Sequence, residues 1–259
     1  MPIPRIIHQI WFQLNGGPVT PPAEYDEMRA SWRRLHPGWV FMDWNLEKSR
    51  QLLLDHYPEY LELFDGYKRD IFRIDSIRYF ILHHYGGFYV DTDCLANQAI
   101  TELCDHKVVL ALNKYTKDAM GIYNNHFMGG IPGSRFFKTC VERLPTSSLL
   151  QTEGSSYVSV MSTAGPFYLT TIAAYHRKKG EVYTLPHHRE VLLFTHFEKH
   201  SWKLAQNVVS DVVLVGLVAG GMAMTGMAVK EAYRQGVALM ERKLAERKLE
   251  KRKRMGRLR

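Results

Sequence analysis

The stretch DIFRIDSIRYFILHHYGGFYVDTD, residues 70–93, decides the fold. Residues 70–84 are largely apolar and hold no Pro or Gly, which predicts a helix. Gly86-Gly87 is the glycine stop that helices favour at their C-terminal end. Phe88-Tyr89-Val90 then reads as a compact strand, with Asp91-Thr92-Asp93 at its carboxyl edge. Helix, glycine turn, strand and acidic turn is the order of an α/β unit. Open α/β sheets bind ligands beyond the carboxyl ends of their strands.

The flanking sequence extends this pattern. Residues 3–11 read as a buried strand and 15–22 as a loop by composition. Helices are expected near 23–35 and 46–64, with a strand at 39–42 between them. Asp43 or Asn45 is placed to cap the second helix. Downstream, 108–112 predicts a strand, 124–133 a polar glycine-containing loop, and 134–144 a helix. Gly165-Pro166 opens another helix to about residue 177, with Pro at a permitted first-turn position. Residues 181–185 and 191–195 predict two more strands. No repeat of 20–50 residues is visible.

Two groups of residues carry chemistry. Asp91 and Asp93, two positions apart on a turn, can converge on one hard divalent cation, for which Mg²⁺ or Mn²⁺ would take oxygen ligands. The alternative is an acidic turn in solvent, disfavoured by the apolar helix and strand before it. Asp75 and Arg78 share a helix face at i and i+3. As an exposed pair they would contribute only about 0.2–0.5 kcal/mol. Their neighbours Ile71, Phe72, Ile74, Ile77, Phe80, Ile81 and Leu82 are apolar, however, and a charged pair in such a stripe is costly. The path from Asp75 through helix, glycine turn and strand can bring this pair and the acidic turn to one pocket.

The sequence Ile3-Pro4-Arg5-Ile6-Ile7-His8-Gln9-Ile10-Trp11, then Asp75-x-x-Arg78-Tyr79 and Gly86-Gly87-x-Tyr89-x-Asp91-x-Asp93, resembles the D-x-D sugar-transferase family 32. Further blocks follow in order: Asn125 before Pro132-Gly133, Thr163-Ala164-Gly165-Pro166, and His196 leading to Ser201-Trp202. The resemblance covers roughly residues 3–202. It implies a GT-A-like nucleotide-sugar-binding α/β sandwich and a metal-dependent retaining hexosyltransferase, mannosyltransferase-like, using Mn²⁺ or Mg²⁺. The donor implied is GDP-mannose or a UDP-hexose, and the acceptor a glycan or lipid. Carried over, Trp11 would stack on the base. Asp75, Arg78 and Tyr79 would serve the donor sugar and ribose, and Asp91 and Asp93 would hold the metal. Asn125, Gly165 and Pro166 would line the sugar and acceptor pockets, and Ser201 and Trp202 would close the site. His196 would be a late metal contact. The family places Gly before Ser-Trp where His200 stands here, and the spacing from His196 to Trp202 is one residue longer, so His200 is the alternative contact.

Composition narrows the partners. The 259 residues are 46% hydrophobic and 12% aromatic, which suits a folded domain with a substantial core. The formal charge of +8 lies entirely in residues 230–259, where twelve bases face four acids, so residues 1–229 are neutral. A nucleic-acid-binding body, which needs basic residues over one face, is not expected. Three cysteines without a CxxC pair read as reduced structural thiols. The first residues lack the apolar core of a cleavable signal. Residues 212–229 carry no charge over 18 positions, the lower limit for a membrane span, and contain the close-packing pattern Gly216-x-x-x-Gly220; the alternative is a buried amphipathic helix. The basic run after it suits anionic lipid. The expected organisation is a catalytic domain over 1–207, an apolar membrane-associated segment over 208–229 and a basic tail over 230–259. Two other classes compete: a metal-dependent phosphohydrolase acting on nucleotides or diphosphates, and a non-catalytic membrane scaffold.

Overall fold

A computed structural model describes residues 1–13, 17–113, 121–151, 157–177 and 180–197, all within the compact unit Met1–Ala205. In chain order the elements are β1 Ile6–Ile10, α1 Asp26–Leu35, β2 Val40–Trp44, α2 Leu46–His56, α3 Leu61–Asp65, α4 Asp70–Tyr85, β3 Gly87–Val90, β4 Cys94–Ala96, β5 Val108–Leu112 and β6 Tyr123–Gly130. They continue with α5 Arg135–Ser147, α6 Tyr157–Thr163, α7 Pro166–Arg177, β7 Val182–Leu185, α8 His187–Leu193 and β8 Phe194–His196. The main sheet has the order β2-β1-β3-β6-β5-β7 and is mixed. Strand β1 runs parallel to β2 and β3, β6 antiparallel to β3 and β5, and β7 parallel to β5. Strands β4 and β8 form a separate antiparallel ribbon.

The period-2 rule divides the core. Tyr89, Val108, Leu110 and Met128 face one side, with Phe72, Ile77 and Phe80 of α4 and Phe137 of α5. Phe88, Val90, Val109 and Phe127 face the other, with Trp32 of α1, Cys94 of β4 and Phe194 of β8. Helix α4 is buried almost all round, as expected of a helix apolar on every face. This helix carries Asp75 and Arg78 to the sheet.

Asn45 caps α2 by accepting from the Lys48 backbone N–H at 2.9 Å. The single helix expected over 46–64 is interrupted at Tyr57-Pro58, where Pro starts a short 3₁₀ turn before α3. The loop expected over 124–133 is mostly the long strand β6, hydrogen-bonded on both sides. The strand expected over 191–195 is the end of α8 followed by β8. The ribbon strand β4 and helix α6 are additions to the expected elements. Among the described residues no helix is long and apolar enough to cross a membrane. The segment 208–229 and the tail 230–259 lie outside the described residues.

The α4–β3 turn is rigid for a local reason. Gly86 and Gly87 have φ of 65° and 89°, a region L side chains avoid. A Cβ on Gly86 would stand 2.8 Å from the Gly130 carbonyl oxygen, and one on Gly87 would stand 2.7 Å from that of Ile6. Either Gly→Ala change is therefore expected to destabilise the full chain by more than about 2 kcal/mol, read as a lower denaturation midpoint.

Buried His8 fastens the same turn. Its Nδ1 accepts from the Trp44 indole N–H at 3.2 Å, so its Nε2–H donates to the Gly86 carbonyl at 2.8 Å. Burial lowers its pKa to about 4, only partly opposed by the bond to Gly86. The neutral ring belongs to the fold, and the unfolded chain takes up the proton first. Its contribution is present above about pH 6.5 and is lost as pH falls through about 4, up to about 3 kcal/mol. Imidazole ¹⁵N shifts should show His8 neutral in the folded chain at pH 5.

Candidate functional site

The site forms where α4, the end of β3 and a bulge in β6 meet. Leu110 of β5 faces Met128, but the next residue, Ala111, faces Asn124. The register shift leaves Asn125, His126 and Phe127 as extra residues in β6. Such irregularities re-aim side chains and recur beside functional sites. Here Asn125 turns toward α4, and the His126 carbonyl accepts the Asp91 backbone N–H at 2.8 Å.

Arg78 is the hub. It is 5% exposed. Its guanidinium donates to the Asn125 carbonyl at 2.8 Å and lies 3.2 Å from Asp75 Oδ1 and 3.3 Å from Asp91 Oδ1. It also sits 4.6 Å from the Tyr89 ring centre, in cation–π contact. The Asn125 amide donates to Asp75 Oδ1 at 3.1 Å, and the Tyr89 hydroxyl to Asp91 Oδ1 at 2.5 Å. Two acids against one base leave a net negative site. Burial pushes the Asp75 carboxyl up to about 6, the Arg78 charge opposes, and the Asp91 charge adds to the rise. Burial works against the Arg78 cation, but Asp91, Tyr89 and Asp75 together hold its pKa above the ordinary arginine value. Its Nε, also buried, makes no hydrogen bond.

The two carboxylates of the acidic turn go to different neighbours. Asp91 Oδ1 is engaged by Tyr89 and Arg78, whereas Asp93 Oδ1 lies 3.4 Å from His196 Nε2. Strand pairing of Cys94 with His196 creates the second contact. Among the described residues, Asp93, Cys94 and His196 are the one group whose ligand atoms could surround a metal. Burial raises the Cys94 thiol well above its usual range, and Cys94 is wholly buried where Asp93 and His196 are partly exposed. A carboxylate and an imidazole, both partly exposed, suit Mn²⁺ better than the all-oxygen preference of Mg²⁺. The two aspartates of the turn thus have different neighbours: Asp91 meets the arginine hub, and Asp93 faces His196.

Other expected residues take different places. Trp11 lies just beyond β1, half-buried, its indole N–H donating to the Pro18 carbonyl at 3.0 Å and its ring 5.2 Å from that of Tyr25. Burial, then the charges of Glu24 and Asp93, raise the Tyr25 pKa, which places its hydroxyl within the field of the acidic turn. Tyr79 is wholly buried, and its hydroxyl donates to the Ala164 carbonyl at 2.5 Å. Gly165 is a packed turn between α6 and α7, where a Cβ would meet the Val160 carbonyl oxygen at 2.6 Å, and Pro166 opens α7. Tyr79 and Gly165 therefore pack the scaffold behind Arg78. His200, Ser201 and Trp202 lie outside the described residues. Tyr89, His126 and Glu190 are site residues that the sequence does not single out. The Gly-Gly-x-Tyr-x-Asp pattern contains Tyr89, but nothing local distinguishes the other two.

The mixed α/β fold, with a carboxylate turn at a strand end, is structurally similar to GT-A glycosyltransferase domains. The fold is similar to that of the UDP-bound glycosyltransferase domain from the YGT toxin, with a TM-score of 0.51, 10% identity, and 90% of this chain and 89% of that one covered. Residues 22–110 match the family described as the glycosyltransferase sugar-binding region containing the DXD motif. It is 30% identical over 212 residues to inositol phosphoceramide mannosyltransferase 2 of Schizosaccharomyces pombe, covering 77% of this chain and 58% of that protein. It is 31% identical over 174 residues to the mannosyl phosphorylinositol ceramide synthase SUR1 of Saccharomyces cerevisiae, covering 66% and 41% respectively. The chain spans about half the length of the curated relatives it matches.

Proposed function

We propose that this chain is a metal-dependent retaining glycosyltransferase that moves a hexose, mannose foremost, from GDP-mannose or a UDP-hexose to a lipid or glycan acceptor. Inositol phosphoceramide is the first acceptor to try, since three similar proteins are named for mannosylating it. The observation that carries the reading is the joined cluster Asp75–Arg78–Asp91–Asn125, set beside Asp93 and His196 at the carboxyl end of β3.

In this reading Trp11 stacks on the base, and Asp75, Arg78 and Asn125 hold hydroxyls of the donor. Asp93 and His196 would hold Mn²⁺, and a cation bound there would supply positive charge beside the donor diphosphate. Asp91 orients Arg78 and offers its remaining oxygen to the donor. Pro166 and its turn shape the acceptor side, and Trp202 closes over the donor. Asp75 is buried, accepts from the Asn125 amide and pairs with Arg78 through the same oxygen, so its carboxylate is committed to neighbours and not free to attack. That favours front-face attack by the acceptor over a covalent glycosyl-enzyme, and trapping such an intermediate on Asp75 would overturn it.

The test is a screen of GDP-mannose, UDP-glucose, UDP-galactose and UDP-GlcNAc for Mn²⁺-dependent transfer by the full chain. Mannosyl transfer to inositol phosphoceramide is the expected result. Phosphate release without sugar transfer would support the phosphohydrolase instead. Residues 208–229 and 230–259 are proposed as a membrane attachment separate from catalysis. Flotation of the full chain with vesicles containing anionic lipid should then weaken as salt rises, because the tail's attraction is screened within about 8–10 Å.

A further inference from the structure

Behind the Asp93–His196 pair lies a second, buried pair. His126, on the β6 bulge and 5% exposed, stacks on His196 with ring centres 4.1 Å apart and planes at 30°. Its Nε2 lies 3.1 Å from Oε1 of Glu190, which reaches in from α8 and is 4% exposed. The second Glu190 oxygen is buried without a hydrogen bond, with His187 Nδ1 3.9 Å from it. A buried carboxylate is costly unless paired, so this one must draw on His126. A carboxylate at this distance only accepts, so it calls for the His126 hydrogen on Nε2, which would fix both tautomer and ring plane. His196 is the last residue of a three-residue strand that pairs with β4.

We infer that Glu190 and His126 are positioning residues for the metal-binding pair: Glu190 holds the His126 ring, and that ring sets the plane in which His196 presents its nitrogen beside Asp93. This rests on the metal-dependent reading of the site. Neither residue touches the donor or the ion in this scheme. Partners that orient metal ligands change metal affinity by about 10–100-fold when removed.

The experiment is calorimetric titration of the metal-free full chain with Mn²⁺ alone, with thermal melting of each variant alongside. Glu190→Leu and His126→Leu should weaken Mn²⁺ binding about 10–100-fold. Glu190→Gln, whose amide oxygen can still accept from His126, should restore most of it. His126→Phe, which keeps the stack, should fall between. If the leucine variants bind Mn²⁺ within twofold of the parent while His196→Ala and Asp93→Asn lose it, the pair is only a structural tie and the inference fails. If His196→Ala and Asp93→Asn also bind like the parent, the metal reading fails and takes the inference with it. Long-range ¹⁵N–¹H correlation on the parent needs no variant. His126 should appear as the Nε2–H tautomer, and the Nδ1–H tautomer would overturn the arrangement.

Discussion

Asp93→Asn should lower the saturated rate of sugar transfer about 10²–10³-fold and abolish measurable Mn²⁺ binding, with little change in melting temperature. The rate loss is that of removing one group aimed at developing charge in a transition state. Little stability is at stake, because the Asp93 side chain is partly exposed and faces His196 rather than the arginine hub. Asp91→Asn should separate from it. Its carboxylate is engaged by Tyr89 and Arg78, so turnover should fall and stability should fall with it, while Mn²⁺ affinity changes less. Equal loss of Mn²⁺ binding in the two variants would return the metal to both aspartates, as the D-x-D pattern alone suggests.

How much of this could be read from residues alone depended on whether the controlling contact was local. Helix α4, its glycine stop, β3 and the acidic turn are set by a continuous run, so the order was legible there. Asp75 and Arg78 were legible as a pair because two charges inside an apolar helix are costly unless they meet, and the i,i+3 step lets them meet. Strand β6 was not. Its Asn-Asn-His start and Gly129-Gly130 end read as loop composition. The glycines are there because a Cβ on Gly129 would strike the Phe88 ring and one on Gly130 the Phe137 ring. Both clashes come from residues on other elements, one of them 41 positions away in sequence. The apolar end of α8 was illegible for a different reason: a five-residue apolar run does not distinguish strand from helix, and the helix start at Pro186 lies outside that run. His126 and Glu190 are 64 positions apart and meet only because the bulge turns one of them toward α8.

Arg78→Met is the substitution with the largest expected cost to stability, and its pH dependence follows from the same geometry. Methionine preserves most of the stem but leaves Asp75 and Asp91 facing each other without a counter-charge, and it orphans the Asn125 carbonyl. Removing one partner from a buried ion pair costs about 3–5 kcal/mol. Asp75 already titrates near 6 with the guanidinium in place, raised chiefly by burial. Without the guanidinium its folded pKa rises further, since the larger of the two opposing causes is gone and only the Asn125 hydrogen bond remains. A carboxyl raised in the fold supports stability below its unfolded pKa, near 4, and loses that support as pH climbs through the folded value. The deficit of Arg78→Met relative to the parent should therefore be greatest above pH 7 and shrink toward pH 5, where Asp75 takes up a proton and no longer needs the cation. Chemical denaturation of both chains at pH 5 and pH 8 reads this directly. Adding Asp75→Asn to Arg78→Met should recover part of the loss at pH 8 and little at pH 5, because the second change removes a charge that is present only at the higher pH. A deficit independent of pH would mean that Arg78 stabilises the domain through its contacts with Asn125 and the Tyr89 ring, and not by neutralising Asp75.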